Sequence, residues 1–591
     1  MIRAAAFSIA FAAFAAVLPF FSAVAAPEHA QSPAPLALAP TMEEGARPAD
    51  LGKFGVGPAG VYALPGPSAP TGYAALILEA LETSEPLASG NAGQSVAAAV
   101  REFYRTLDYA PIWTEETGVL ARASSLARAI GAVGADGLAP SDYFAPDVIA
   151  LFDAAIPEER ARLEAALSWA YVRLVSDLAS GRTVPNEIDP ELFVHPHEVD
   201  PAAALAAALA TDDMESLVAM YAPQTTEYVK LKGALAALRA ERHEAFWPEM
   251  SAGPVLRPGD RGPRVAELQG VLAARGYVVA SEGDVYDPLI DAAVTSFQTR
   301  HGLKPDGHFG PITAAALNTT LERRIEQVKL NMERQRWMPA HLGARYALVN
   351  LADFRLEVVF HGEIVYETRV VVGTTAHRTP VFSDRMTYLE INPYWNIPPS
   401  IAREEILPQL RTDPAAVSDR GIRVFSSWAA NAVELDPMII DWSQISGRGF
   451  PFKLRQDPGD GNALGRVKFM FPNKFNIYLH DTPSKSLFNR TMRAFSHGCI
   501  RVEDPFRLAK LLLSEDDRWT PERFEETLAL GDRRVVNLPH PINVHLTYLT
   551  AWVDDVGEMQ FRPDIYGRDR RLAAALDASR ASPVMASALD R

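Results

Sequence analysis

The chain has 591 residues, of which 48% are hydrophobic and 22% are charged, and its formal net charge is −16. A single hydrophobic core rarely serves more than about 300 residues, so this length predicts several domains. The negative charge argues against a nucleic-acid binder, because neutralising phosphates requires clustered Lys and Arg. The single cysteine, Cys499, excludes an internal disulfide and any metal or redox site that needs paired cysteines.

The N-terminus has the pattern of a secretory signal peptide. Arg3 precedes 24 residues without a charge, and this stretch contains an A-x-A pattern at Ala23-Val24-Ala25. We therefore predict a signal peptide over residues 1–25 and a folded part outside the cytoplasm. The alternative is an uncleaved segment that tethers the chain to a membrane, since about 20 apolar residues can span a bilayer.

Two regions with different composition follow. Residues 26–72 contain nine prolines and no apolar period, which predicts a Pro/Ala-rich linker. Residues 73–245 are rich in Ala and Leu at helical spacing, which predicts a helical scaffold domain. The aromatic cluster from Tyr104 to Trp113 is predicted to be a core contact between a helix and a loop, and nothing in this region has the geometry of an acid–base site.

Residues 255–320 predict a separate three-helix module. Val265, Leu268 and Leu272 share one helical face, and a second helix covers 290–297. The runs LQxxLxxxGY, AVxxFQ and DGxxGPxT resemble the peptidoglycan-binding-like module of many cell-wall enzymes. The alternative is an architectural bundle that binds nothing.

The periodicity changes after a charged connector helix predicted at residues 321–344. Apolar and β-branched runs of strand length begin at Arg345 and continue to about residue 540, with His361-Gly362-Glu363 as a hairpin turn. The less β-like stretch 398–432 predicts a helical insertion that serves as a lid. The predicted fold is thus multidomain α+β: a helical scaffold, a small three-helix module, a mostly β catalytic domain at 345–540 and a C-terminal extension at 541–591.

The residues around Cys499 include histidines, which can activate a thiol. A thiol is weakly ionised near neutral pH, so as a nucleophile it needs a base or a positive field. His497 lies two residues before the cysteine, and His480 lies nineteen residues upstream, at the end of a strand-like run. A strand, a loop and a second strand would bring His480 beside Cys499.

The loop between the two histidines is basic. Lys485, Arg490 and Arg493 are accompanied by one acid, Asp481, so their field is expected to favour the thiolate and attract substrate carboxylates. Gly498 lets backbone N–H groups approach an oxyanion. A zinc site made of the histidines and the thiol fits less well because a fourth ligand is missing. We therefore predict no metal and no cofactor.

The S-H-G-C-I-R run with its upstream H-D-T resembles the L,D-transpeptidases with a YkuD-type catalytic domain. The resemblance extends over 345–540 through Val372-Gly373-Thr374, Thr379-Pro380 and residues 391–399. The scaffold, the three-helix module and the tail from Val544 to Gly567 resemble the large subgroup of Gram-negative periplasmic members. This resemblance implies a periplasmic enzyme of wall biogenesis and cell shape, and a carbapenem target.

The resemblance also implies a reaction. Cys499 would attack the third residue of a wall tetrapeptide stem, the terminal D-Ala would leave, and an amine of a neighbouring stem would resolve the thioester into a 3→3 cross-link. His480 matches the general base, oriented by a backbone carbonyl, and His497 matches the motif histidine near the thiol. The N–H groups of Gly498 and Cys499 match the oxyanion site. The expected pocket and substrate-contacting residues are Ser496, Arg501, Tyr478, Tyr394, Trp395 and Asp481.

Several alternatives remain open at the level of sequence. Water could resolve the same thioester, giving an L,D-carboxypeptidase, or a protein amine could, anchoring a protein to the wall. A papain-like or NlpC-type peptidase fits less well, because in those families the cysteine precedes the histidine. A non-enzymatic wall-binding scaffold is the remaining class. The expected partners are peptidoglycan stems as donor and acceptor, with other wall synthases as candidates and no nucleic acid.

Overall fold

The computed structural model describes residues 70–84, 90–244, 247–279, 283–447 and 449–580. The predicted signal peptide and nearly all of the predicted linker lie outside the described residues. The described residues belong to one compact unit. Within them, we find no helix with the length and apolar character needed to cross a bilayer.

The first region is helical, as predicted, and several of its helices begin with proline. Proline suits that position because its missing N–H would have no partner in the helix. The long helix α5 is buried along most of its length and forms the centre of the apolar core. The elements are α1 (Tyr73–Thr83), α2 (Gly90–Thr106), β1 (Thr114–Glu115), β2 (Gly118–Val119), α3 (Ala121–Ala132), α4 (Pro146–Ala150), α5 (Pro157–Ser180), α6 (Pro185–Ile188), β3 (Leu192–Phe193), α7 (Pro201–Leu209), α8 (Met214–Ala219) and α9 (Thr226–Glu244).

The predicted three-helix module is present and has its own core. It consists of α10 (Pro263–Ala274), α11 (Pro288–Arg300) and α12 (Pro311–Leu317). The predicted connector helix is α13 (Leu321–Trp337). Several of its charged side chains are buried, among them Arg336, whose Nη1 lies 2.9 Å from Glu333 Oε2. Because α13 packs against α5, α9 and the C-terminal helix, it is a central element of the molecule.

The strand-rich domain follows α13. Its elements, with those of the insertion and the C-terminal extension, are β4 (Arg345–Asn350), β5 (Arg355–Phe360), β6 (Glu363–Gly373), β7 (Val381–Ile391), β8 (Trp395–Asn396), α14 (Pro399–Ile401), α15 (Leu407–Thr412), α16 (Pro414–Asp419), β9 (Ile422–Phe425), β10 (Glu434–Leu435), β11 (Lys453–Gln456), β12 (Val467–Met470), β13 (Leu479–His480), β14 (Ala494–Ser496), β15 (Ile500–Val502), α17 (Pro505–Leu513), α18 (Pro521–Ala529), β16 (Arg534–Thr547), β17 (Ala551–Val553), β18 (Met559–Phe561) and α19 (Arg568–Arg580).

The main sheet has the strand order β12-β13-β15-β6-β5-β4-β16-β7-β3, and β14 pairs with β6. Because β12 also pairs with β7, the strands from β12 to β7 in this order close into a ring. The predicted hairpin turn is present between β5 and β6. His361 and Gly362 both have positive φ, 52° and 88°, as the tight turns that suit hairpin twist require. Strand β16 crosses the predicted domain boundary at residues 540/541, so the sheet continues into the chain assigned to the extension.

The predicted insertion is larger than its sequence pattern indicated. Helices α14 to α16 and a four-stranded sheet of order β10-β9-β11-β8 span 395–456 and share a separate apolar core. The sequence prediction ended at residue 432 because the later strands of this sheet are short. The insertion supplies one wall of the cavity described next.

Candidate active site

The residues around the cysteine lie on two paired strands. Strand β13 runs parallel to β15, with Leu479 opposite Ile500 and His480 opposite Arg501. Leu479 and Ile500 are buried in the core. Because side chains alternate along a strand, Cys499 and Arg501 face the same side as His480, where all three line a cavity of about 1170 Å³. The structure thus brings His480 next to the cysteine segment, by the strand–loop–strand route that the sequence suggested.

The thiol of Cys499 is partly exposed towards this cavity. Its Sγ donates to the backbone carbonyl of Asn476 at 3.6 Å. Burial of the sulfur raises the pKa of the thiol, whereas hydrogen bonds from Tyr478 and the positive charges of Lys468 and Arg501 lower it. Before reaction the sulfur is therefore a thiol. The two hydrogen bonds from Tyr478 and the charges of Lys468 and Arg501 would stabilise the thiolate.

His480 is buried, and its ring nitrogen Nδ1 lies 2.5 Å from the backbone oxygen of Asp481. A carbonyl oxygen only accepts hydrogen bonds, so Nδ1 carries the proton and, in the neutral ring, Nε2 is the nitrogen that can accept one. Burial, followed by the positive charge of Arg501, lowers the pKa of His480 to about 3. The imidazole is therefore neutral and has the tautomer that a general base needs.

Lys468 is a site residue that the sequence analysis missed. It lies on β12 directly opposite His480, and its Nζ is 3.9 Å from the centre of the Tyr478 ring. Burial lowers the pKa of its ammonium group. The sequence feature that could have identified it is a lysine within the otherwise apolar run Val467 to Met470. Side chains alternate along a strand, so Lys468 lies on the face opposite Val467 and Phe469.

The basic loop does not supply the field that was expected of it. Lys485 Nζ is 2.7 Å from Asp481 Oδ1, and the Arg493 guanidinium donates to backbone carbonyls that include Phe354 O at 3.1 Å. The cations that lower the pKa of the thiol are instead Lys468 and Arg501. The loop prediction failed because sequence proximity does not fix the direction of long side chains.

The backbone of the S-H-G-C segment is tightly bonded. Ser496 Oγ donates to the carbonyl of Cys499 at 2.6 Å and accepts the Gly498 N–H at 3.1 Å. The Gly498 N–H is therefore already used and is not a ready oxyanion donor, contrary to the sequence expectation. The Cys499 N–H has no acceptor within the part of the chain that the structure describes, so it is the available donor. Gly498 has φ of 111°, a conformation that favours glycine.

His497 contacts the insertion. Its Nε2 lies 2.7 Å from Glu405 Oε1, and its ring centre lies 4.8 Å from that of His377. Glu405 belongs to the helical turn Ala402–Ile406 of the insertion. His497 thus lines the cavity at the point where the catalytic segment and the insertion meet.

The remaining predicted residues divide into two groups. Arg501, Tyr478, Ser496 and Trp395 line the cavity. Tyr394 and Asp481 are not among the residues that line it. The Tyr394 ring is covered by the Arg455 guanidinium at 4.2 Å. The Asp481 carboxylate accepts from Lys485 and from the backbone N–H groups of Arg466 and Thr482, so it holds the strand ends together.

The residues that the structure describes were predicted to hold no metal. Among these residues, no group of three or more His, Cys, Asp or Glu side chains is arranged to hold a metal ion.

Three regions of the chain match known domain families. Residues 344–536 match the model of the L,D-transpeptidase catalytic domain, YkuD. Residues 98–235 match the scaffold domain, and residues 261–317 match the "Putative peptidoglycan binding domain". Residues 344–536 of this chain therefore form a YkuD-type L,D-transpeptidase catalytic domain, which confirms the predicted resemblance for this part of the chain.

A curated relative supports the same assignment. The "Putative L,D-transpeptidase" of Haemophilus influenzae is 38% identical over 259 residues, which cover 44% of this chain and 51% of the relative. The chain therefore spans about half the length of the curated relative that it matches.

Two solved structures are similar at low identity. An L,D-transpeptidase from Stackebrandtia nassauensis is 14% identical, with 51% of this chain and 96% of that chain covered and a TM-score of 0.20. An L,D-transpeptidase from Xylanimonas cellulosilytica is 16% identical, with 51% and 100% covered and a TM-score of 0.16. Likeness at these TM-scores supports no argument about this chain.

Proposed function

We propose that this protein is a peptidoglycan L,D-transpeptidase that forms 3→3 cross-links through a thioester on Cys499. The observation that carries the proposal is the pairing of β13 with β15, which places a neutral His480 and the thiol on one cavity wall. The N-terminal pattern supports export, and we propose the periplasm as the location. The match of the three-helix module supports binding to the wall.

The first half-reaction forms the acyl-enzyme. The thiol leaves the Asn476 carbonyl, its proton passes to Nε2 of His480, and the sulfur attacks the carbonyl of the third residue of a tetrapeptide stem. Donation from Nδ1 to the Asp481 carbonyl keeps the imidazole in the required tautomer and supports the imidazolium that forms. The sulfur–carbon bond forms, the bond to D-Ala breaks, and the proton passes from His480 to the departing amine.

Three further groups serve this step. Tyr478 and Lys468 stabilise the thiolate, since their hydrogen bond and charge lower the pKa of Cys499. The Cys499 N–H donates to the oxyanion of the tetrahedral intermediate. A second oxyanion donor would have to come from elsewhere in the cavity, because Ser496 engages the Gly498 N–H.

Arg501 is proposed to bind a stem carboxylate. Its Nε is buried and has no hydrogen-bond partner in the described part of the protein. Burial lowers the pKa of this guanidinium, while the charges of Cys499 and Glu405 raise it. A buried guanidinium without a full set of acceptors is costly, and a substrate carboxylate would supply them.

The second half-reaction resolves the thioester. A side-chain amine of a second stem gives its proton to His480 and attacks the thioester carbon, and the Cys499 sulfur leaves. Resolution by water or by a protein amine would use the same groups and yields the carboxypeptidase and anchoring alternatives. The insertion over residues 395–456, which contributes Trp395 and Glu405 to the cavity wall, is proposed to cover the bound stem as a lid.

Intact-protein mass spectrometry with a carbapenem tests the thioester chemistry. A carbapenem acylates nucleophiles of this kind, so wild type should gain one adduct and Cys499→Ala none. The absence of an adduct on wild type, or an adduct that persists in Cys499→Ala, would contradict the proposal.

A further inference from the structure

Three sequence motifs have no role in the reaction described above. They are the Gly373-Thr374 and Thr379-Pro380 pairs of the catalytic domain and the Tyr566-Gly567 pair of the C-terminal extension. In the structure, hydrogen bonds link Thr379 to Gly498, Gly373 and Tyr566, and none of the three pairs lines the cavity that contains the thiol. Their hydrogen bonds connect the S-H-G-C segment to two other parts of the chain.

Thr379 is the residue that touches the segment directly. It is fully buried, its Oγ1 donates to the carbonyl of Gly498 at 2.8 Å, and the same oxygen accepts the Gly373 N–H at 2.9 Å. The Gly498 carbonyl belongs to the peptide group whose nitrogen is the Cys499 N–H. The Thr379 hydroxyl therefore fixes the orientation of the one available oxyanion donor.

Tyr566, from the C-terminal extension, holds Thr379 and Gly373 in turn. Its hydroxyl donates to the carbonyl of Gly373 at 2.7 Å and accepts the Thr379 N–H at 3.4 Å. The next residue but one, Arg568, donates from Nη2 to the Thr379 carbonyl at 3.2 Å. Both backbone groups of Thr379 are thus bonded to the extension.

The helical scaffold is connected to the same point. Arg568 Nε lies 3.2 Å from Asp189 Oδ2, and Arg378 Nη1 lies 3.2 Å from the same oxygen. Asp189 belongs to the segment between α6 and β3. The backbone of that segment also bonds to the catalytic domain, because the Val381 N–H donates to the Glu191 carbonyl at 2.9 Å.

We infer that Tyr566, Arg568 and Asp189 are positioning residues that act through Thr379 to orient the peptide between Gly498 and Cys499. This inference rests on the proposed function, since it concerns the oxyanion donor of that reaction. Reaction rates respond steeply to small displacements of such donors. The scaffold and the extension are thus part of the support of the nucleophile, in addition to any role in wall binding.

The test compares two reactions of Cys499 in the full-length chain. Acylation by a carbapenem needs the oxyanion donor, whereas alkylation by iodoacetamide needs only an accessible thiolate. We expect Tyr566→Phe to slow acylation about 10-fold and Thr379→Val about 10- to 100-fold, by analogy with the loss of oxyanion-hole alignment. Thr379→Ser, which keeps the hydroxyl, should stay within about 3-fold of wild type, and alkylation should change by less than about 2-fold in all three.

Two controls make the test specific. Tyr286→Phe removes another buried tyrosine hydroxyl, one that donates to the Gly307 carbonyl at 2.6 Å in the three-helix module, and it should leave acylation unchanged. If Tyr566 acts through Thr379, the double variant Tyr566→Phe/Thr379→Val should acylate no more slowly than Thr379→Val alone.

The outcomes separate the inference from the proposed function. If wild type is acylated and Tyr566→Phe and Thr379→Val are acylated equally fast, the inference is overturned and the proposed function stands. If acylation and alkylation fall together in these variants, the role is general folding and the inference is likewise overturned. If wild type itself is not acylated, the proposed function fails and the inference falls with it.

Discussion

Two charged side chains with buried polar atoms, Glu164 and Arg501, differ in their hydrogen-bond partners. Glu164, in the scaffold, is fully buried and burial raises the pKa of its carboxyl group. Arg501, in the catalytic domain, keeps a buried Nε without a partner in the described residues. The donors to Glu164 are Tyr104 Oη at 2.5 Å, Ile112 N at 2.5 Å, Trp113 N at 3.0 Å, Thr114 N at 2.8 Å and Thr114 Oγ1 at 2.7 Å.

The difference distinguishes a structural charge from a functional one. The ligands of Glu164 are all protein groups, so this carboxylate holds a loop onto helix α5 and needs nothing from outside. Arg501 faces a cavity with part of its hydrogen-bonding capacity unused, which is where a substrate carboxylate would bind. Other buried nitrogens among the described residues, such as Nε of Arg182 and of Arg336, also lack a hydrogen-bond partner. What favours a ligand at Arg501 is its position in the wall of the cavity that contains Cys499.

The largest expected effect concerns the catalytic domain. His480→Ala should slow acylation of Cys499 by about 10²- to 10⁴-fold, the usual range for a lost general base. His545→Ala is a matched control, because burial also lowers the pKa of His545 and its ring bonds to Ser383 and to the Leu342 carbonyl, away from the cavity. Rapid-mixing kinetics with a carbapenem measure both. Acylation of His480→Ala within a few fold of wild type would show that the base is misassigned.

The scaffold should respond in stability. Glu164→Ala would leave the buried N–H groups of Ile112, Trp113 and Thr114 without their acceptor. The Tyr104 and Thr114 hydroxyls would keep only their contacts with Ser168 and Tyr73. We expect the free energy of unfolding to fall by about 3 kcal/mol or more. Urea denaturation followed by tryptophan fluorescence measures this loss. The fraction that remains folded should still be acylated at the wild-type rate. A loss below about 1 kcal/mol would mean that the carboxylate is not the anchor described here.

Arg501 should give the reverse pattern. Arg501→Met keeps the apolar stem of the side chain without its charge, so the free energy of unfolding should be unchanged or slightly higher, since an incompletely satisfied charge is removed. Reaction with a stem tetrapeptide should fall about 10- to 100-fold, the value of one charged hydrogen-bonded contact. Urea denaturation measures the free energy of unfolding, and steady-state kinetics with stem peptides measure the loss of reaction. A destabilised variant with normal kinetics would place Arg501 with Glu164 as a structural charge.

The last prediction is a pH dependence. The pKa of His480 is lowered to about 3 from an ordinary value of 6.5, so between these pH values the unfolded chain binds the extra proton. The free energy of unfolding therefore has its full value, as far as His480 is concerned, above about pH 6.5. As pH falls below that value, the free energy of unfolding decreases by up to about 1.4 kcal/mol per pH unit. Unfolding free energies of wild type and His480→Gln, compared across this range, should show a shallower slope in the variant. Identical slopes would contradict a buried neutral imidazole.

The sequence was most informative where structure depends on local pattern. The helical periods of the scaffold and of the module, the His361-Gly362 turn and the S-H-G-C segment with its upstream His480 are all short-range signals. They suffice for the class of fold and for the proposed nucleophile and its proposed base. The resemblance also correctly implied that His480 is oriented by a backbone carbonyl rather than by a carboxylate.

The rest depends on contacts between distant parts of the chain. Lys468 enters the site only because β12 pairs with β13, and Thr379 reaches Gly498 only because Tyr566, almost 190 residues later, packs behind it. Asp481 and the loop cations were misread because the direction of a side chain follows from neighbours that are remote in sequence. The use of the Gly498 N–H by Ser496 is likewise invisible without the backbone geometry.

The most direct test of the central claim is a product analysis. The full-length protein is incubated with purified tetrapeptide-rich peptidoglycan, and the digested wall is analysed by liquid chromatography and mass spectrometry. Our account predicts 3→3 cross-linked dimers with wild type and none with Cys499→Ala. Tripeptide monomers without dimers would indicate a carboxypeptidase, and dimers that persist in Cys499→Ala would contradict the thioester mechanism altogether.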